Sequence, residues 1–577
     1  MSDTVFTIKI GGQAGQGIKS AGILFAKFAT RSGYHIYNCI EYPSIIRGGH
    51  NVMQINVSRK EVTGPTKKTD LLIALNQDSI DKHLDELTPK AGILFDSDSE
   101  LDVSKVGKDT IHYSVPLSKF AEEAGNKDLL KNTVALGAAV AILGGDLKIL
   151  NHLIAEEYGD KGEEIVKADQ KAIELGHKYV KNTYASKLKG NLSENGTMDT
   201  VVPRMVVNGN EAAALGAIAG GIQFAAIYPM SPISNILHVL AAHQEEYGYV
   251  YKQPEDEISA INMALGASFA GARSMTTTSG GGFALMVEGY GLAGITETPL
   301  VIVEGMRGGP ATGIPTWSEQ GDLRFVLHAH QSDFPRIVLT PGDPKEVFEM
   351  TMEAFNLADK YQTPVVVLID KNICENDQSF PLFDSSSYKV DRGKFSTEKI
   401  QDYKRYALAE DGISQRTVPG SGNFFIANSD EHDEVGYSNE EIKNRNEQME
   451  KRMKKLVTCE AEDMPKPKLF GPKEADVTLV SWGSNKGSIT QALKEFKNVN
   501  YLHLTWVNPF PVDEVRRVLG KAKNIVNIEC NYSAQMGGLI KEKTGIEIKD
   551  NFLKYDGRPF YVEEIIEKIN SVLGGSK

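Results

Sequence analysis

The chain has 577 residues, of which 41% are apolar and 24% charged, the make-up of a soluble globular protein too long for one hydrophobic core. Its formal net charge of -13 excludes a nucleic-acid surface or an anionic membrane as the main partner. Cys39, Cys374, Cys459 and Cys530 show no C-x-x-C spacing, which argues against a disulfide framework and against a metal or iron–sulfur site of the chain's own. With no leader-like N-terminus and no long uncharged apolar run, the expectation is a cytoplasmic protein.

The first patterned stretch is TIKIGGQAGQGIKSAGILFAKFA. Residues 4–10 read as a buried strand, and a helix starting at Ile18 places Ile18, Ala21, Leu24, Phe25 and Phe28 on one face. The glycines then fall at a strand-to-helix turn, where N–H groups and the helix dipole suit an anion. Gly15, Gly17 and Ser20, with Glu41 beyond, fit a dinucleotide fingerprint loosely. A phosphate loop fails, because Ile18 separates Gly17 from Lys19 and Ser20. A tight packing turn is an equal alternative. Strands at 51–57, 70–75 and 92–96 and a charged helix at 161–182 complete an α/β domain over residues 1–185. Within it IEYPSIIRGGHNV offers Ser44, Arg47 and His50 in a loop between strands.

Residues 186–203 are polar and aperiodic and read as a linker. Over 204–374 strands (223–228, 272–278, 299–304, 335–340, 364–370) alternate with helices (211–219, 234–246, 257–270, 283–293, 344–359), the rhythm of a doubly wound parallel sheet. Asp343 caps the last of these helices. Residues 375–474 are irregular apart from a charged helix at 438–456, and 475–577 resume an α/β pattern.

Four stretches of the central domain carry candidate chemistry. In AAIYPMSPIS, Tyr228, Pro229 and Ser231 end a strand at the sheet edge where ligands bind; the plainer reading is a turn with Ser234 or Asn235 capping the next helix. In QPEDEISAIN three adjacent acids open a helix, and the dipole accounts for at least two of them without selecting which one is functional. In TTTSGGGFALM, Thr278 and Ser279 present hydroxyls beside Gly280 and two further glycines. In GMRGGPATGIPT, Arg307 with Thr312 and Thr316 has the composition of a small-acid anion site.

Taken in order, GGQAGQG, EYPSIIRGG, YPMSPIS, EDEISAINMALGAS, TSGGGFALM, RGGPATGIPT and YDGRPF resemble the alpha subunit of 2-oxoacid:ferredoxin oxidoreductases in the form with a gamma domain fused at its N-terminus. The 2-oxoglutarate enzymes are nearest in look. The resemblance implies three α/β domains, the central one a doubly wound pyrimidine-binding domain and the last of transketolase C-terminal type. It implies thiamine diphosphate shared with a beta subunit, which holds Mg2+ and a 4Fe–4S cluster, coenzyme A as co-substrate, ferredoxin as electron partner, and a dimer of alpha-beta heterodimers. Matching motif to motif, Glu257 takes the contact to N1′ of the aminopyrimidine, while Tyr228, Pro229, Thr278, Ser279 and Gly280 line the cofactor. Arg307 and Thr316 fall on substrate-carboxylate positions, and Ser231 stands where the family's YPITP motif has threonine. Ser44 and Arg47 match a loop lent to the substrate site, with Arg47 suited to a distal carboxylate. Gly15 and Gly17 either touch coenzyme A or simply pack the first helix. Pyruvate or branched-chain 2-oxoacids are the alternative substrates, and a noncatalytic nucleotide-binding scaffold is the alternative of another class.

Overall fold

A computed structural model describes residues 5–45, 48–126, 129–187 and 202–574; Arg47 and most of the expected linker lie outside them. The chain forms two compact units. The first unit comprises residues 1–207, 376–382 and 561–563. Its eight-stranded sheet runs in the order Ile111–Val115, Leu87–Asp96, Thr69–Ala74, Phe6–Ala14, Gly48–Ser58, His35–Glu41, Gln378–Pro381, Arg204–Val207. The first strand is longer than its apolar run suggests, and Gly11 and Gly12 lie inside it, opposite Val52 and Asn51. They are glycines for close approach: a Cβ on Gly11 would stand 2.6 Å from Ser79 Oγ. Only Gly15 (φ 91°) and Gly17 (φ 67°) belong to the turn. The helix Ile18–Arg31 buries the predicted face of Ile18, Ala21, Leu24, Phe25 and Phe28.

The second unit holds two sheets. The larger runs Trp506–Asn508, Ile337–Leu339, Pro364–Asp370, Leu300–Met306, Ser274–Thr278, Phe224–Ala226, Val250–Lys252. Six of its strands are parallel, the five that the βα rhythm predicts and the unpredicted Val250–Lys252. The seventh, Trp506–Asn508, comes from the C-terminal block and pairs antiparallel with Ile337–Leu339, so the sheet is not wholly parallel. The smaller sheet runs Lys468–Phe470, Val499–Leu504, Val477–Trp482, Ile525–Glu529, Asp550–Leu553. Ile302, Leu368 and Phe283 share one apolar core with Val480, Trp482 and Leu502, and this common core makes the two sheets a single unit.

The connecting segment is fastened by buried charge. Its helix, Ile442–Glu462, overlaps the predicted span 438–456 but starts four and ends six residues later, and it brings Lys451 and Lys455 each to 2.6 Å from the fully buried Glu297. Burial alone would raise the Glu297 carboxyl, but the two ammonium groups and Arg405 hold it well below the usual range.

Candidate active site

The site is built at the C-terminal edge of the larger sheet, where open α/β folds bind ligands. Parallel register sets Thr278 beside Glu304, which sends both side chains to the same face. The helix Glu257–Phe269 approaches that face from its N-terminus, and its first turn resolves the run of acids. Asp256 is the cap, its side chain accepting from the Ser259 N–H at 2.7 Å. Glu255 is exposed. Glu257 turns inward, 3% exposed, and its Oε1 meets no hydrogen-bond partner among the described residues.

The helix Gly280–Ile295 is what closes around that carboxyl. A Cβ on Gly282 would lie 2.1 Å from Thr278 Oγ1 and 2.6 Å from Glu257 Oε1, so only glycine lets this helix meet both. Gly280 faces Asp322, whose Oδ2 would be 2.5 Å from an added Cβ. The Ser279 hydroxyl is likewise buried without a partner among the described residues.

Arg307 follows the buried strand Leu300–Met306. Its guanidinium donates to the Ser231 carbonyl oxygen at 2.7 Å, its one hydrogen bond among the described residues. The sequence offers the Ser231 hydroxyl to a ligand at this edge; it is the Ser231 backbone, beside the cis Ser231–Pro232 bond, that holds Arg307. Tyr228 is half-buried and Pro229 exposed in the same turn. Neither Ser234 nor Asn235 caps the following helix: Ile233 occupies the cap position and no side chain bonds there. Beyond Arg307 the loop folds back on itself, with the Gly308 N–H donating to Trp317 at 3.2 Å and the Ile314 N–H to Gly308 at 2.8 Å. This buries Thr316 and leaves its Oγ1 unpartnered among the described residues.

Two acids of this site escaped the sequence reading. Glu304, at 0% exposure, lies two residues from the end of an otherwise apolar strand, and Asp322 precedes the short helix Leu323–His328. Burial pushes both carboxyls up, Glu304 far above the ordinary range, with the charge of Asp322 adding to its rise and that of Arg307 opposing it. The only signal for Glu304 was a lone acid closing the run PLVIVEG.

In the first unit, Gly15 and Gly17 line a cleft of about 500 Å³ with Lys19, Ser20, Tyr42 and Asn51 among its walls. The helix that opens there has Gly17 at its cap, no side-chain cap bond and no acid in its first turn, so its N-terminal N–H groups stay available to an anion. Gly17 also carries a packing role, its carbonyl accepting from Asn132 Nδ2 at 3.1 Å. Ser44 is exposed in the segment after the strand His35–Glu41, and Arg47 lies outside the described residues. His50 is not in that loop but within the strand Gly48–Ser58, its Nε2 2.8 Å from His83 Nε2. Burial and the His83 ring lower its pKa to about 4.

Residues 215–451 match the thiamine diphosphate-binding region of pyruvate flavodoxin/ferredoxin oxidoreductases. Residues 7–179 match the pyruvate ferredoxin/flavodoxin oxidoreductase model and residues 475–565 core domain II of pyruvate:ferredoxin oxidoreductase. The 2-oxoacid:ferredoxin oxidoreductase subunit alpha of Sulfolobus sp is 32% identical to this chain over 620 residues, covering 98% of this chain and 96% of the relative. The chain belongs to the 2-oxoacid:ferredoxin oxidoreductase family. Another relative of this oxidoreductase subunit, the 2-oxoglutarate oxidoreductase subunit KorA of Mycobacterium tuberculosis, is 28% identical over 98% of this chain and 91% of its own. Among solved structures, the 2-oxoglutarate:ferredoxin oxidoreductase from Magnetococcus marinus, with 2-oxoglutarate, coenzyme A and succinyl-CoA bound, superposes with a TM-score of 0.89 at 30% identity and covers 99% of each chain. Among the described residues this 2-oxoacid:ferredoxin oxidoreductase chain has no helix long and apolar enough to cross a membrane.

Proposed function

We propose that the chain is the alpha subunit, with a gamma-type region at its N-terminus, of a cytoplasmic 2-oxoglutarate:ferredoxin oxidoreductase. The reaction is CoA-dependent oxidative decarboxylation of 2-oxoglutarate to succinyl-CoA with electrons passed to ferredoxin, or the reverse fixation of carbon dioxide. The observation that carries this reading is the buried, unpartnered Oε1 of Glu257 in a glycine-lined recess. A buried carboxyl oxygen with nothing to bond is costly, and a contact to N1′ of thiamine diphosphate would satisfy it. When bound, that cofactor supplies a carbon nucleophile for the 2-oxo group and a sink for the electrons released on decarboxylation.

The chain's own residues hold and orient the reactants. Glu257 would hold a proton at N1′, which favours the imino tautomer of the aminopyrimidine, whose exocyclic nitrogen can act as a base. Thr278, Ser279, Gly280, Tyr228 and Pro229 shape the recess. Arg307, steadied by the Ser231 carbonyl, keeps further N–H donors for a substrate carboxylate, and the Thr316 hydroxyl is free to join it. Ser44 and Arg47 serve the distal carboxylate, the group that separates 2-oxoglutarate from pyruvate and branched-chain substrates. The cleft at Gly15 and Gly17 takes coenzyme A through its free N–H groups. A beta subunit completes the enzyme with Mg2+ and the 4Fe–4S cluster in a dimer of alpha-beta heterodimers.

The test is anaerobic dye reduction by the complex purified through this chain, comparing 2-oxoglutarate, pyruvate and a branched-chain 2-oxoacid in wild type and Glu257→Gln. Thiamine-dependent turnover of 2-oxoglutarate that falls by about 10² to 10⁴ in the variant is expected. Robust activity in the variant would show that a different acid does the work. Turnover of pyruvate without 2-oxoglutarate would overturn the substrate.

A further inference from the structure

The stretch YDGRPF near the C-terminus has no role in the assignments above, yet its Gly557 and Arg558 meet the loop that carries Arg307 and Thr316. Inside that loop the Gly308 N–H donates to the Trp317 carbonyl at 3.2 Å. Gly308 follows Arg307 and Trp317 follows Thr316, so this one backbone bond brings the two residues of the substrate-carboxylate site side by side. Their spacing then depends on where Trp317 is held. The Thr316 side chain does not hold itself, since its hydroxyl has no partner among the described residues.

YDGRPF grips the Trp317 end of the loop in three ways. The Gly557 carbonyl accepts from the Ser318 N–H at 3.0 Å. A Cβ on Gly557 would stand 2.9 Å from both Trp317 Cβ and Ile314 Cδ1, and its φ of 83° is left-handed, so only glycine brings this backbone so near. The Arg558 guanidinium lies over the Trp317 indole, 3.6 Å from the ring centroid, and is aimed there by donating from Nη1 to the Asp556 carbonyl at 3.0 Å. A planar cation covers a flat ring better than an ammonium group does. Trp317 and Arg558 are both half-buried, so losing their contact loosens the loop without emptying the core.

We propose that Arg558 is a positioning residue of the substrate-carboxylate site: by covering Trp317 it fixes the far end of the Gly308–Trp317 bond and so holds Thr316 in place beside Arg307 for the incoming 2-oxoacid carboxylate. This rests on Arg307 and Thr316 binding that carboxylate. Arg558 acts on the grip on the carboxylate alone, in ground state and transition state alike, and such a loss raises KM while leaving kcat.

The experiment measures KM and kcat for the 2-oxoacid in the assembled complex, for wild type, Arg558→Ala, Arg558→Lys, Trp317→Leu, the double variant Arg558→Ala, Trp317→Leu, and Arg307→Gln. Acrylamide quenching of tryptophan emission reads the contact itself. The chain's other two tryptophans, Trp482 and Trp506, are buried, and subtracting the emission of the matching Trp317→Leu protein leaves the Trp317 signal. Expected in Arg558→Ala are stronger quenching, a KM raised about threefold to tenfold, the weight of a cation–π contact, and a kcat within about twofold of wild type. Arg558→Lys, which keeps a charge over the ring, should recover part of the loss, and Arg558→Ala should change KM little once Trp317 is already leucine. Stronger quenching with an unchanged KM in Arg558→Ala would overturn the proposal, as would an equal KM rise with and without Trp317. An unchanged KM in Arg307→Gln would mean that the carboxylate reading itself has failed, and the proposal with it; a raised KM there beside an unchanged one in Arg558→Ala sinks the proposal alone.

Discussion

Gly282→Ala isolates the geometry of the candidate site. The added Cβ would stand 2.1 Å from Thr278 Oγ1, 2.6 Å from Glu257 Oε1 and 2.8 Å from Glu257 Cγ. Carbon contacts settle near ~3.5 Å, so the intruding methyl needs roughly 1 Å of room from Thr278 and Glu257 together. Thr278 is pinned in a buried strand, which leaves the Glu257 side chain to move. Alanine gains up to ~1 kcal/mol of helix propensity over glycine, and overpacking costs ~1–3 kcal/mol, so the folding loss should be modest. Activity should suffer far more, since a shift of ~1 Å at a catalytic group can cost about 100-fold. Gly281→Ala is the matched control for stability, because nothing lies within 4 Å of its Cβ and the helix gains propensity without a clash. Thermal denaturation and anaerobic dye reduction on the assembled complex read the two effects separately. A Gly282→Ala enzyme whose turnover stays within about threefold of wild type, a loss well under 1 kcal/mol, would refute the idea that this glycine seats the Glu257 carboxyl.

Elsewhere, Glu297→Gln should destabilise the second unit by about 3–5 kcal/mol in chemical denaturation, because it strands Lys451 and Lys455 in the interior without a counter-charge. The Glu297 carboxyl is held below its unfolded value of 4.5, so its contribution is present above that value and drains away as pH falls further into the acid range; the variant's stability should be the less acid-sensitive of the two. In the first unit, Gly15→Ala meets open space and costs only left-handed strain, about 1–2 kcal/mol. Gly17→Ala adds a collision 2.2 Å from Asn132 Nδ2 to the same strain and should lower the midpoint further, with partial recovery in the double variant Gly17→Ala, Asn132→Ala.

What the sequence made legible was local. The βα rhythm located five of the six parallel strands and missed Val250–Lys252, Asp343 was readable as a cap from the Pro341–Gly342 turn before it, and its side chain accepts from the Glu346 N–H at 2.9 Å. The apolar face of the helix Ile18–Arg31 followed from spacing. Pairings across long separations were not legible, because no local pattern encodes a partner. Gln378 lies opposite Tyr37 and Val207 in the first unit's sheet, and Asn508 lies opposite Val338 in the second's. Arg204–Val207 and Gln378–Pro381 are four residues long and read as loop by themselves, while Trp506–Asn508 looks in sequence like the tail of the strand pattern NYLHLTWV.

The acids divide along the same line. Three adjacent carboxylates at residues 255–257 could not be told apart by the helix dipole, which favours all of them. Packing separates them: one serves as the cap, one stays in solvent, and Glu257 is turned under Gly282, where its Oε1 finds no partner among the described residues. Glu304 and Asp322 are eighteen residues apart with two glycine-rich turns between them, and neither stands out as an isolated residue. Their meaning is a tertiary fact. The return of the loop from Arg307 to Asp322 is locked by Gln320, whose side chain accepts from the Cys530 N–H at 2.9 Å and from Asn485 Nδ2 at 2.9 Å in the C-terminal block. Arg336 holds the helix that follows Asp322 as well, donating to the Leu327 carbonyl at 3.0 Å and to the Ala329 carbonyl at 2.9 Å. The C-terminal block, which has no assigned chemistry of its own, thus helps to hold the loop that carries Asp322 to Gly280.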